Sequence, residues 1–176
     1  KKTCFEFFFE RLIKCKKIDE YIIATTKSKN DNYFFKFAKK NNIKIFRGSE
    51  NNVLSRMVGA YRSLGKDYEI IVRCNSDNTL IMPHLIDLDI KKFLKSESDF
   101  FSPFNKNKIP FGYSLTLFKS KKLIEISKKK LDKKYKEHID NYFLENPKKF
   151  KIYENYLKKF FCPNLFLTLD TKFDYK

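Results

Sequence analysis

Three short apolar runs, IDEYIIATT, IKIFRG and YEIIVR, each give way to a polar loop and then to a segment with helical spacing, and this alternation constrains the fold more than any other feature. A continuous apolar run of four to six residues suits a strand buried on both faces, and a strand followed by a crossover helix leads to a parallel neighbour. The helical segments carry their own markers. Thr3–Lys16 repeats Phe5, Phe8, Phe9, Leu12 and Ile13 at intervals of three and four, and 32–40 does the same with Phe34, Phe35, Phe37 and Ala38. VLSRMVGAYRSLG follows the polar loop Ser49–Asn52, which can cap it, and it closes at Gly65. Pro83 starts a helix running to Leu94. Beyond Asp99 the spacing predicts strands in DFFSPF and GYSLTLF, helices at 121–130 and 135–144, and a last strand in NLFLTLD. The expected architecture is one α/β domain spanning 1–176, with a mostly parallel sheet covered on both faces.

Composition closes off several classes. With 176 residues, 20 Phe and 10 Tyr there is material for one well-filled core, so intrinsic disorder is a poor reading. Lys, Asn, Asp or Glu interrupts every apolar run before the ~20 residues a membrane helix requires. The opening CFEFFFERLIKC carries charges within its apolar part and no small-residue cleavage site, so a cytoplasmic location is expected. Cys4, Cys15, Cys74 and Cys162 fall singly, which suits packing thiols better than zinc or disulfides. The 38 Lys and Arg against 21 Asp and Glu give a net charge of +17. Such a field attracts nucleic acid, anionic lipid or phosphorylated small molecules alike. The accompanying excess of Asn, Ile and Phe is what an AT-rich genome writes into ordinary surfaces, so the charge reads first as composition.

In open α/β sheets the site lies beyond the carboxyl ends of the strands. The loops there offer Thr25, Thr26, Ser49, Arg56, Arg73, Asn75, Asp77 and Asp170: hydroxyls, guanidinium groups and two carboxylates. Mg²⁺ takes hard oxygen ligands, commonly one or two carboxylates plus substrate phosphates, so Asp77 and Asp170 could hold it against a nucleotide. An Asp after a strand is also a common turn former or helix cap, and an Arg there a common ion-pair partner.

In order along the chain, IDEYIIATT, NNIKIFRGSENNVLSRMVGAY, VRCNSDNTLIMPHLID, KEHIDNYFLENPKKFKI and LFLTLDTKFDY resemble the cytidylyltransferases of surface-polysaccharide synthesis. The nearest group is the spore-coat polysaccharide type, related to CMP-Kdo and CMP-acylneuraminate synthetases. The resemblance implies a three-layer, Rossmann-like nucleotidyltransferase fold with a mostly parallel mixed sheet, and transfer of CMP from CTP to a sugar acceptor with loss of pyrophosphate. It gives Asp77 and Asp170 to Mg²⁺ and catalysis, and Thr25, Thr26, Ser49, Arg56, Arg73 and Asn75 to the nucleotide. Glu137 and His138 match an Arg-Glu-His block, with Lys136 in place of the Arg; His138 could assist deprotonation of the sugar hydroxyl, and Glu137, Ser114 and Thr116 would lie on the sugar side. Related enzymes are often homodimers.

Several positions depart from the family pattern. Thr79 replaces a Pro after the metal loop, Met82 an acidic residue, Ser114 and Thr116 an acidic pair, and Lys172-Phe173 a Pro-Glu. KKTCFEFFFERL matches the helix that follows the family's first strand and glycine-rich phosphate loop, so the resemblance implies a chain lacking both, either as a fragment or as a shortened relative. A missing central strand would expose sheet edges. Two other readings remain: a non-catalytic relative that binds a nucleotide-sugar or partner enzyme, and a basic polyanion-binding module, although no RNA-module motif is present and nucleic acid is not the expected partner.

Overall fold

The computed structural model describes residues 2–102, 115–153, 167–169 and 171. The chain packs as two compact units. One comprises Asp19–Ile71 and Lys119–Lys149; the other comprises Lys1–Ile18, Val72–Phe118 and Phe150–Lys176. The expected α/β alternation is present among the described residues as far as Ser96.

In the Asp19–Ile71 unit, β1 (Ile22–Thr26) and β2 (Lys44–Gly48) pair in parallel, with Ile22 opposite Lys44 and Thr25 opposite Arg47. The connection is a right-sized crossover: a 3-10 turn (Lys29–Asp31) and α2 (Asn32–Lys40). Ala38 is fully buried, as its place in the 34-37-38 apolar stripe requires. α3 (Val53–Ser63) begins where the Asn52 side chain accepts the Ser55 N–H at 2.9 Å, and it ends at Gly65, whose φ of +68° is the left-handed conformation that closes helices. Leu54, Met57, Val58 and Tyr61 supply its buried face. α5 (Ser120–Ser127) and α6 (Lys133–Glu137) pack against α3, and α7 (Ile139–Leu144) follows α6 directly.

Two glycines explain how closely α3 approaches β2. The Phe46 ring from β2 fills the space beside Gly59 and Gly48: a Cβ added at Gly59 would stand 2.4 Å from Phe46 Cζ, and one at Gly48 2.8 Å from its Cε1. The aromatic ring takes the room that a side chain would need.

In the other unit, α1 (Cys4–Leu12) opens with a capping box: the Thr3 hydroxyl accepts the Glu6 N–H and the Glu6 carboxylate accepts the Thr3 N–H. The chain leaving α1 is fastened to α4 (Pro83–Ser96) by Asp87, whose carboxylate accepts the backbone N–H of Lys16 and Lys17 at 2.9 and 2.8 Å. Ile86, Ile90 and Phe93 of α4 are fully buried, as are Phe100, Leu117 and Phe118 of the sheet. That sheet has the order β3-β5-β4-β6, from β3 (Ile70–Cys74), β5 (Leu115–Lys119), β4 (Phe100–Phe101) and β6 (Ile152–Tyr153). β4 is antiparallel to β5 and parallel to β6, giving the mixed sheet expected.

The differences from the sequence reading are local. The helix expected over 135–144 is two helices broken at His138, whose φ/ψ of −119°/76° is not helical. β6 was not anticipated; it is two residues long and is tied in by the Asp99 N–H to the Lys151 carbonyl at 2.7 Å. Within NLFLTLD, residues 167–169 are not in a strand, and the rest of that run lies outside the described residues, as do PF and GYS of the two preceding runs and Cys162. Cys4, Cys15 and Cys74 are free thiols. No helix among the described residues is long and apolar enough to cross a membrane.

Gly59→Ala separates local propensity from packing. Ala favours a helix by about 1 kcal/mol over Gly, whereas forcing a methyl against the Phe46 ring costs about 1–3 kcal/mol. The expected outcome is net destabilisation, read as a lower urea midpoint by circular dichroism; a raised midpoint would show that the ring has room to move.

Candidate functional site

The loop leaving β1 is built around one carboxylate. Asp31, the last residue before α2, receives at its Oδ2 the Thr25 hydroxyl at 2.7 Å, the Thr26 hydroxyl at 2.5 Å and the Thr26 N–H at 2.9 Å. Thr26 Oγ1 in turn accepts the Ser28 N–H at 3.1 Å. Arg47, opposite Thr25 in the β1–β2 register, closes the arrangement: its Nε donates to the Thr26 carbonyl at 2.8 Å, its Nη2 to the Ser28 carbonyl at 2.6 Å and its Nη1 to Asn32 Oδ1 at 3.0 Å. Burial alone would raise the Asp31 carboxyl, but the hydroxyls of Thr26 and Thr25, the Thr26 amide and the nearby guanidinium outweigh it and hold the group below the usual carboxylate range. Sequence reasoning found Thr25 and Thr26 but missed Asp31 and Arg47. The available signal was a Thr-Thr pair five residues before an Asp at a helix start, with an Arg on the next strand.

Ser49 and Arg56, both expected at the site, are brought together by the turn into α3. Ser49 Oγ accepts the Asn52 N–H at 3.1 Å, while Arg56 Nη1 donates to the carbonyls of Ser49 and Glu50. Glu137 and His138 sit at the α6–α7 break, with side chains 53% and 62% exposed and His138 Nε2 3.9 Å from Glu137 Oε1, too long for a hydrogen bond.

Arg73, Asn75, Asp77 and Thr116 belong to the other unit. Arg73 lies in β3, Asn75 is exposed just beyond it, and Thr116 is buried in β5. The loop after β3 is held by the Asn78 N–H to the Asn75 carbonyl at 3.2 Å and the Thr79 N–H to the Asp77 carbonyl at 2.9 Å. Its far end is fixed by Arg11 of α1, whose Nε donates to the Ile81 carbonyl at 2.8 Å. Asp77 Oδ1 is buried. The Asp77 carbonyl also accepts the Leu169 N–H at 3.2 Å, so the LTLDT segment is stitched to the Asp77 loop at the residue before Asp170. Asp170 and Ser114 lie outside the described residues. Among the described residues no three His, Cys, Asp or Glu side chains are grouped around one metal position. A Mg²⁺ held by a carboxylate or two and by phosphate oxygens needs no such group, and the hard-oxygen donors of this loop fit that ion. Cys15, close by, is an unreactive packing thiol: burial first, then Asp87, pushes it up to about 12.

Residues 2–163 match the family model described as cytidylyltransferase. The chain belongs to the cytidylyltransferase family. It is 36% identical over 175 residues to an uncharacterized protein of Methanocaldococcus jannaschii, a match covering 97% of this chain and 69% of the relative. It is 29% identical over 160 residues to spore coat polysaccharide biosynthesis protein SpsF of Bacillus subtilis, covering 90% of this chain and 65% of that protein. A cytidylyltransferase structure from Leptospira borgpetersenii superimposes with a TM-score of 0.91 at 29% identity, covering 99% of this chain and 73% of that one. The three-layer nucleotidyltransferase fold implied by the sequence is therefore the fold of this cytidylyltransferase-family chain.

The Asp31 cluster makes a pH-dependent prediction. The folded-state pKa of Asp31 lies below the unfolded value of about 3.9. Its stabilisation is thus complete above that value and is lost as pH falls through the lower folded value. Thr25→Val removes one donor to Asp31 at nearly constant volume and is expected to cost about 1–3 kcal/mol at pH 7. Urea unfolding of both proteins at pH 7 and pH 3 should show the difference shrinking in acid; a constant difference would assign the loss to packing.

Proposed function

We propose that this chain carries the CMP-transfer chemistry of its family: a hydroxyl of a sugar acid or related sugar attacks the α-phosphate of CTP, for surface-polysaccharide or glycan synthesis. The sugar oxygen forms its bond to phosphorus as the bond to the bridging oxygen breaks, and pyrophosphate leaves with the electron pair. Family membership over residues 2–163 and the kinship with a spore coat polysaccharide protein support this reading. The observation that carries it is the Leu169 N–H to Asp77 carbonyl bond, which ties the Asp77 loop to the residue that precedes Asp170 in sequence.

Asp77 and Asp170 would hold Mg²⁺, which when bound neutralises the charge that builds on the triphosphate. Thr25, Thr26 and Ser49, with Arg56, Arg73 and Asn75, are assigned to the nucleotide, the guanidinium groups suiting phosphate oxygens. Glu137, Ser114 and Thr116 are assigned to the sugar. His138, exposed at the α6–α7 break, is assigned the hydroxyl proton. A homodimer working in the cytoplasm fits the same reading.

The test is thermal unfolding with CTP, with and without Mg²⁺. At about a hundredfold excess over Kd, bound nucleotide should add about 2.7 kcal/mol, read as a raised Tm that requires Mg²⁺ and is absent in Asp77→Asn. A variant that responds like the wild type would remove Asp77 from the site.

A further inference from the structure

The loop from β3 to α4 carries Asp77, and its two ends are held by different means. The near end is secured by backbone: the Asn75 carbonyl accepts the Asn78 N–H, and the Asp77 carbonyl accepts the N–H of Thr79 and of Leu169. The far end runs into α4 without a side-chain cap, because the residue at the N-cap is Met82, whose thioether makes no cap bond. The carbonyl just before that cap, on Ile81, is taken instead by Arg11 Nε at 2.8 Å, reaching from the last turn of α1. The same guanidinium stands 5.7 Å from the centre of the Phe7 ring, a cation–π contact within α1. Arg11 is half-buried and makes no ion pair among the described residues. A loop carbonyl therefore receives the charge-assisted bond that such a guanidinium ordinarily gives to a carboxylate.

A shift at Ile81 is passed on to Asp77, because the segment between them has little slack. Asn78, Thr79 and Ile81 are buried, and Asp77 Oδ1 is buried with them. The helix from which Arg11 reaches is itself fastened to α4, through the Asp87 carboxylate and the N–H groups of Lys16 and Lys17. We propose that Arg11 is a positioning residue: by holding the Ile81 carbonyl it sets the end of the loop that carries Asp77, and so the place of that carboxylate. The inference rests on the metal role proposed above for Asp77. Groups that orient a metal-binding side chain in this indirect way change metal affinity by about tenfold to a hundredfold when they are removed. A lysine keeps the charge but not the planar guanidinium, so it replaces Arg11 only in part.

Two measurements test it, with Asp87→Asn as the control that loosens α1 from α4 without touching Ile81. In the ligand-free chain, hydrogen exchange at the Asn78 and Thr79 amides is expected to speed up in Arg11→Ala and less so in Arg11→Lys. Asp87→Asn should speed exchange at Lys16 and Lys17 and leave the loop amides at the wild-type rate. In equilibrium dialysis with CTP, the Mg²⁺ concentration for half-maximal retention is expected to rise about tenfold in Arg11→Ala, less in Arg11→Lys, and not at all in Asp87→Asn. Tm on the same samples confirms folding, and Arg11→Lys carries the test if truncation unfolds the chain. Loop exchange or a Mg²⁺ requirement that stays at the wild-type value in the Arg11 variants overturns the positioning role while leaving CTP binding intact, and an equal change in Asp87→Asn overturns it as a general loss of stability. Wild type that retains CTP no better with Mg²⁺ than without it overturns the metal role of Asp77 and this inference with it.

Discussion

A carboxylate on a loop is ordinarily free to move, and Asp31 is not. Three donors from two adjacent threonines converge on one of its oxygens, and a guanidinium from the next strand grips the carbonyls on either side of Lys27. Charge-assisted bonds of this kind are about twice as strong as neutral ones. They fix the β1 loop before any ligand arrives, and a loop fixed in advance can present a chosen set of acceptors and donors without an entropic cost on binding. The parallel register of β1 and β2 makes this possible, because Thr25 opposite Arg47 sets the guanidinium beside the loop.

The same economy recurs in the other unit. The Asp77 loop is pinned at its middle by its own turn bonds, at its end by Arg11, and across to Leu169 by a backbone bond. In each unit a candidate site residue sits on a loop held by groups from a different segment of chain, which is how position-critical chemistry is kept on irregular backbone.

Much of this was legible in the sequence. The helices at 32–40, 53–63 and 83–96 declared themselves by 3.6-residue spacing, Asn52, Gly65 and Pro83. The strands at 22–26, 44–48 and 70–74 stood out as apolar runs between polar loops. The His138 break was hidden because Tyr135, Ile139, Tyr142 and Phe143 keep helical spacing across it while the backbone turns. β6 was hidden because two residues carry no period. Asp31 was hidden because an Asp before a helix reads as a cap; in fact its side chain makes no cap bond to α2 and reaches back to β1 instead. Such a choice between local and tertiary partners is made by the Arg47 register, which no local pattern records.

Membership of a cytidylyltransferase family points first to nucleotide recognition, and the measurement that checks it is calorimetric titration of this chain with CTP, with and without Mg²⁺, with ATP and a short single-stranded DNA as controls. The expected result is heat from CTP that requires Mg²⁺ and exceeds that from ATP. No heat from CTP, together with tight DNA binding that weakens steeply with salt, would contradict it and assign the +17 charge to a polyanion surface.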